Sequence, residues 1–78
     1  MREKTLKFVV TFPTTTDAMA MERCCMERGI PGRLIPLPPV IDAECGMCCA
    51  APVGAEQALR AGMEQAGLRW DGTYLLML

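Results

Sequence analysis

Residues 6–17 read Leu6-Lys7-Phe8-Val9-Val10-Thr11-Phe12-Pro13-Thr14-Thr15-Thr16-Asp17, and the pattern changes period midway. Leu6, Phe8, Val10 and Phe12 alternate with Lys7, Val9 and Thr11, which predicts a strand with one buried face. Thr14 to Asp17 then forms a capping-box-like start with Asp17 as the N3 residue. It opens a helix to about Arg28, on which Ala18, Met21 and Cys25 share one stripe. Gly29 followed by Ile30 predicts a left-handed C-cap with its apolar partner.

The same unit recurs downstream. Arg33 to Leu37 reads as a second strand. Pro36, Pro38 and Pro39 cannot donate ladder hydrogen bonds, which places that strand at a sheet edge. A polar loop from Val40 to Glu44 leads to Cys45, and Met47 to Val53 predicts a third, mostly apolar strand. A second helix runs from about Ala55 to Ala66, with Ala55, Ala58, Leu59, Gly62, Met63 and Ala66 on one face. Gly62 weakens that helix unless it permits close packing. Gly67-Leu68 repeats the first helix's ending. Thr73 to Leu78 is the final strand, entered through an Asp71-Gly72 turn or bulge. The order βαββαβ predicts an α+β, ferredoxin-like domain over residues 1–78. Its four-stranded antiparallel sheet carries both helices on one face, with the second and fourth strands at the edges.

Composition narrows the function classes. A chain of 78 residues holds one domain with a marginal core, yet 51% of it is apolar, including seven Met. That excess predicts either an unusually apolar core or an apolar face shared with another subunit, and the expected assembly is a homodimer. The net charge of −1 and scattered Lys and Arg argue against nucleic acid as a partner. No stretch approaches the ~20 apolar residues that span a bilayer. Arg2, Lys4 and Lys7 precede an apolar run too short for a signal peptide, so the expected location is the cytoplasm, with no membrane partner. Thiols stay reduced there, and five cysteines fit core fillers, metal ligands or redox-active thiols better than a disulfide framework.

The chain has no histidine and no serine, so Cys–His and serine chemistry and histidine-based metal sites are excluded. Asp42 and Glu44 read as solvated loop acids. What remains is the cluster Cys45-Gly46-Met47-Cys48-Cys49. Cys24 and Cys25 lie in the first helix, where thiols behave as small hydrophobes. Cys45 ends a polar loop and precedes Gly46, which permits close approach of a backbone or ligand. Nearby main-chain N–H groups favour its thiolate, the nucleophilic form. Cys45 and Cys48 have C-x-x-C spacing, but they pair only if residues 45 to 48 turn. In extended chain, Cys45, Met47 and Cys49 point one way and Cys48 the other. Cys49 then faces the helix-covered core, and Cys48 the open face, where a partner subunit would cover it. Arg33 reads either as a thiolate partner or as an exposed edge residue.

The segment Gly29-Ile30-Pro31-Gly32-Arg33-Leu34-Ile35-Pro36-Leu37-Pro38, followed by Cys45-Gly46, resembles the short bacterial selenium/sulfur carrier-like proteins. The likeness runs over nearly the whole chain, and its Arg-Leu-Ile-Pro-x-Pro and Cys-Gly elements are the specific ones. It implies a compact carrier-like domain with Cys45 as the functional cysteine. Cys24, Cys25, Cys48 and Cys49 depart from the usual pattern and raise a resolving thiol or a soft-metal site.

Three functions compete. The first is a carrier, not an enzyme and without cofactor. In it Cys45 accepts sulfur or selenium from a donor protein and passes it to an acceptor, with Cys48 as a resolving thiol and Arg33 and Gly46 as binding residues. Leu34 and Leu37 would belong to its docking surface. The second is a soft-metal module through Cys45, Cys48 and Cys49. The third is an interaction domain pairing through its open sheet face or the edge strand Tyr74-Leu75-Leu76-Met77-Leu78.

Overall fold

The computed structural model describes residues 4–41 and 46–78. In chain order it contains β1 (Leu6–Thr11), α1 (Thr15–Arg28), β2 (Arg33–Pro36) and β3 (Met47–Pro52), then α2 (Glu56–Gln65) and β4 (Thr73–Met77). The strands form one antiparallel sheet in the order β2-β3-β1-β4. This is the ferredoxin-like α+β arrangement, with the proline-bearing β2 and the C-terminal β4 at the edges. Ala18, Met21 and Cys25 of α1 and Leu59 and Met63 of α2 join Phe8, Val10, Cys49 and Ala51 in one core cluster, so both helices cover the same face.

The helix ends follow from their local sequence. The Thr14 hydroxyl accepts from the Asp17 N–H at 3.2 Å and donates to the Asp17 carboxylate at 2.7 Å, which closes the first turn of α1. Gly29 takes φ +67°, and the Ile30 N–H donates to the Cys25 carbonyl at 2.9 Å. Gly67 at φ +66° and the Leu68 N–H, donating to Met63 at 3.0 Å, end α2 by the same device.

Several boundaries and faces differ from expectation. Strand β3 stops at Pro52, which has no N–H to continue the ladder, and Val53–Ala55 form a 3-10 turn before α2. The expected apolar face of α2 narrows to Leu59, Gly62 and Met63, while Ala58 and Ala66 are exposed. Alanine serves there as a helix former that needs no burial. Gly62 packs closely against α1: a Cβ at that position would lie 3.2 Å from Arg28 Cδ and 3.4 Å from Cys24 Sγ.

Strand β1 departs most from its expected single buried face, because Val9 and Thr11 are as buried as Phe8 and Val10. Val9 belongs to a second cluster on the helix-free face, with Ile41, Cys48 and Ala50, and with Ile35, Leu37, Leu76 and Leu78 packed around it. Thr11 is opposed by both Asp71 and Gly72: the Asp71 N–H donates to its carbonyl at 2.7 Å, and its own N–H donates to Gly72 at 2.9 Å. This is the expected bulge. The Thr11 hydroxyl accepts the Gly72 N–H at 3.0 Å, which satisfies a buried polar group.

Between α1 and β2 the chain passes over two buried thiols. Pro31 centres a tight turn in which the Gly32 N–H donates to the Ile30 carbonyl at 2.8 Å. A Cβ on Gly32 would sit 2.8 Å from Cys25 Sγ and 3.1 Å from Cys49 Sγ. Burial pushes both thiols up from their ordinary pKa, and Cys49 donates its S–H toward Cys25. A side chain at position 32 therefore has to displace the thiol pair. Gly32→Ala should destabilise the fold by about 1–3 kcal/mol, the usual cost of overpacking. Cys25→Ala alone should cost on the order of 1 kcal/mol, and the double variant less than the sum, because removing one sulfur makes room for the methyl. Urea unfolding of the four proteins measures this, and additive costs would show that position 32 does not press on Cys25.

Candidate functional site

The cysteine cluster spans the end of the β2–β3 connection and the start of β3, and the ends of that connection are held by main-chain bonds. The Leu37 N–H donates to the Gly46 carbonyl at 3.0 Å, extending the β2–β3 pairing by one step beyond Pro36↔Met47. The Ile41 N–H donates to the Pro38 carbonyl at 3.0 Å, which makes a turn of residues 38–41. That turn drops Ile41 onto the helix-free face, where it is only 6% exposed, while neighbouring Val40 is 77% exposed. Cys45, Asp42 and Glu44 lie outside the described residues.

Gly46, the residue after Cys45, is exposed and has φ +77°. The sequence suggests a glycine chosen for close approach, but a Cβ there would meet nothing within 4 Å. The need is conformational: the chain enters β3 through a left-handed residue, which glycine adopts without steric cost.

The other cysteines are placed by the pleat and the helix stripe. Cys48 pairs across Ile35 and Thr11 and points away from the helices, as alternation requires, and it is fully buried. The expectation that a partner subunit would cover it needs correction, since Ile41 and its neighbours of the same chain already do so. Cys49 faces the helices and packs with Cys25, and Cys24 lies under Gly62 of α2. Burial holds Cys25 and Cys49 in the protonated, poorly nucleophilic form. Cys48 and Cys49 project to opposite faces of the sheet, so the trio Cys45, Cys48 and Cys49 cannot converge on one ion while β3 stays paired. Among the described residues no cluster of three or more metal-ligating side chains forms.

Arg33 is exposed on β2 opposite Ala50. At ~3.3 Å per residue it stands about 13 Å along the strand from Leu37, the residue bonded to Gly46. Its neighbours in space are Lys4 and Lys7, around a cavity at the other end of the sheet. Leu34 packs against the helix-side core and Leu37 against the second cluster, so both are used within the chain. Sequence reasoning misses Ile41, the residue that seals Cys48. The available signal is one β-branched apolar residue at the end of a Pro-Pro turn, directly before a polar stretch.

No helix among the described residues is long and apolar enough to cross a membrane. No curated protein and no solved structure matches the chain. A family model does match it, over residues 7–75 of the 78, a span that takes in both helices, the Gly32 crossing and the Cys45-Gly46 pair. The chain belongs to the family described as "Putative Se/S carrier protein-like".

Proposed function

We propose that this protein is a sulfur or selenium carrier, and not itself an enzyme, with Cys45 as the atom-bearing thiol. One observation carries the reading: the four cysteines at 24, 25, 48 and 49 are all buried, which leaves Cys45 as the thiol a partner would meet. Family membership and the absence of histidine and serine agree with it, because a carrier needs a nucleophile and a docking surface but no base.

The transfer balances without an oxidant. The Cys45 thiolate attacks the terminal sulfur of a donor persulfide, the donor's S–S bond breaks, and the donor leaves as a thiolate. Cys45 now holds the persulfide. A nucleophile of the acceptor attacks that terminal sulfur, and the Cys45 thiolate is regenerated. Cys48 acts as a resolving thiol only when Ile41 lifts: it then attacks the Cys45 sulfur, expels hydrosulfide and forms a disulfide. We place this chemistry in the cytoplasm, where free thiols persist.

The same protein is proposed to act as a homodimer. Leu6, Leu75 and Met77 are 41%, 55% and 57% exposed, and the register puts them on one face beside the β4 edge, as Leu6↔Met77 and Phe8↔Leu75. An unpaired edge strand flanked by exposed apolar side chains favours pairing with its own copy.

Two measurements test these readings. After incubation with glutathione persulfide, fragment mass spectrometry should locate one added sulfur on Cys45. Cys45→Ser should abolish the adduct, and Cys48→Ser should at most change its lifetime. An adduct that survives in Cys45→Ser would refute the assignment. Light scattering at high micromolar concentration should give the mass of two chains, and a clean monomer would rule out the dimer.

A further inference from the structure

The helix-free face of the sheet is not uniform. Around Val9 and Cys48 it is sealed by apolar side chains, but toward the Pro52 end it opens into a cavity of about 570 Å³. That lies within the ~300–1,000 Å³ of small-molecule sites. Ile35, Ala50 and Pro52 give it an apolar lining, and Lys4, Lys7 and Arg33 supply its charge. Among the described residues, no aspartate or glutamate lines it. Three of the chain's eight cations therefore share one concavity, although the net charge is −1.

The strand register explains the convergence. Lys7 lies opposite Pro52 and Arg33 opposite Ala50, so the two flank β3 from either side on the same face. They are separated by two strand spacings, about 10 Å, and by a stagger of two residues, about 7 Å. Each side chain is long enough to reach the space between. Among the described residues the ion pairs are Arg23–Glu27 and Arg60–Glu56. Among the described residues, no side-chain carboxylate pairs with Lys4, Lys7 or Arg33.

We infer that this cavity binds a small organic anion, one with an apolar body and a carboxylate or phosphate group. The apolar lining takes the body, while Lys7 and Arg33 take the oxyanion through charge-assisted hydrogen bonds, with Lys4 at the rim. The site is at the opposite end of β3 from Gly46, and it is independent of the carrier reading. A concavity of this size suits one small molecule better than a nucleic acid, which would need a basic stripe.

The test is amide chemical-shift titration of the full chain with phenyl phosphate, with phenol and inorganic phosphate as controls. Phenyl phosphate should shift residues 4–7, 33–35 and 50–52, and its affinity should fall as salt is added. Lys7→Gln with Arg33→Gln should weaken it about tenfold or more, whereas Arg69→Gln, outside the cavity, should leave it unchanged. Each of the following would overturn the inference: shifts mapping elsewhere, the double variant binding like wild type, phenol or inorganic phosphate binding as tightly as phenyl phosphate, or an acidic peptide binding where phenyl phosphate does not. The substituted side chains lie at the surface, so circular dichroism should confirm that each variant is folded.

Discussion

Strand β1 is buried on both faces, and the rest of the molecule is organised around covering it. Phe8 and Val10 look toward the helices, while Val9 and Thr11 look the other way, all at most 1% exposed. On the helix side the cover is a regular layer of α1 and α2. On the other side, among the described residues, no helix or further strand covers the sheet, and a chain this small supplies no third layer. The cover there is assembled from pieces: Ile41 from the β2–β3 connection, Ile35 and Leu37 from the edge, Leu76 from β4 and Leu78 just after it. It ends where Lys7 replaces an apolar residue in the outward pattern of β1, and there the face opens into the cationic cavity.

The distribution of thiols follows from the same division. The pleat of β3 sends Cys49 into the helix-side core and Cys48 into the smaller cluster. The stripe of α1 then brings Cys25 against Cys49, with Gly32 crossing over both. Burial makes the Cys25 and Cys49 thiols hard to ionise, and an un-ionised thiol is a poor nucleophile. A cysteine-rich chain can in this way be chemically simple, with four sulfurs spent on packing. The carrier reading draws on that economy, since unwanted disulfides and metal capture are suppressed when competing thiols have no route to solvent.

Much of the fold was legible because each local signal agreed with the topology. The Thr14–Asp17 cap, the two glycine endings at Gly29 and Gly67 and the prolines of β2 each reported their own position through a mechanism that acts within a few residues. What stayed hidden depends on long-range packing. Alternation in β1 shows which residues share a face, but not that the second face is covered, because Ile41 arrives from thirty residues away. The alanines 58 and 66 look like core by periodicity, whereas contact with α1 is set by Gly62. Gly32 was visible only as part of a motif, and its reason is the pair of sulfurs beneath it, which no spacing reveals. At the candidate site, alternation separated Cys48 from Cys49. Gly46 was noticed for the wrong cause: its positive φ matters, not the room around it.

The central claim is that four of the five cysteines are sealed and that Cys45 alone meets a partner. Native thiol titration with an aromatic disulfide reagent tests this most directly. One thiol per chain should react rapidly in the folded protein, the remaining four should appear only as denaturant unfolds it, and Cys45→Ser should remove the rapid one. Two or more rapid thiols in the native protein, or a rapid thiol that persists in Cys45→Ser, would contradict the account.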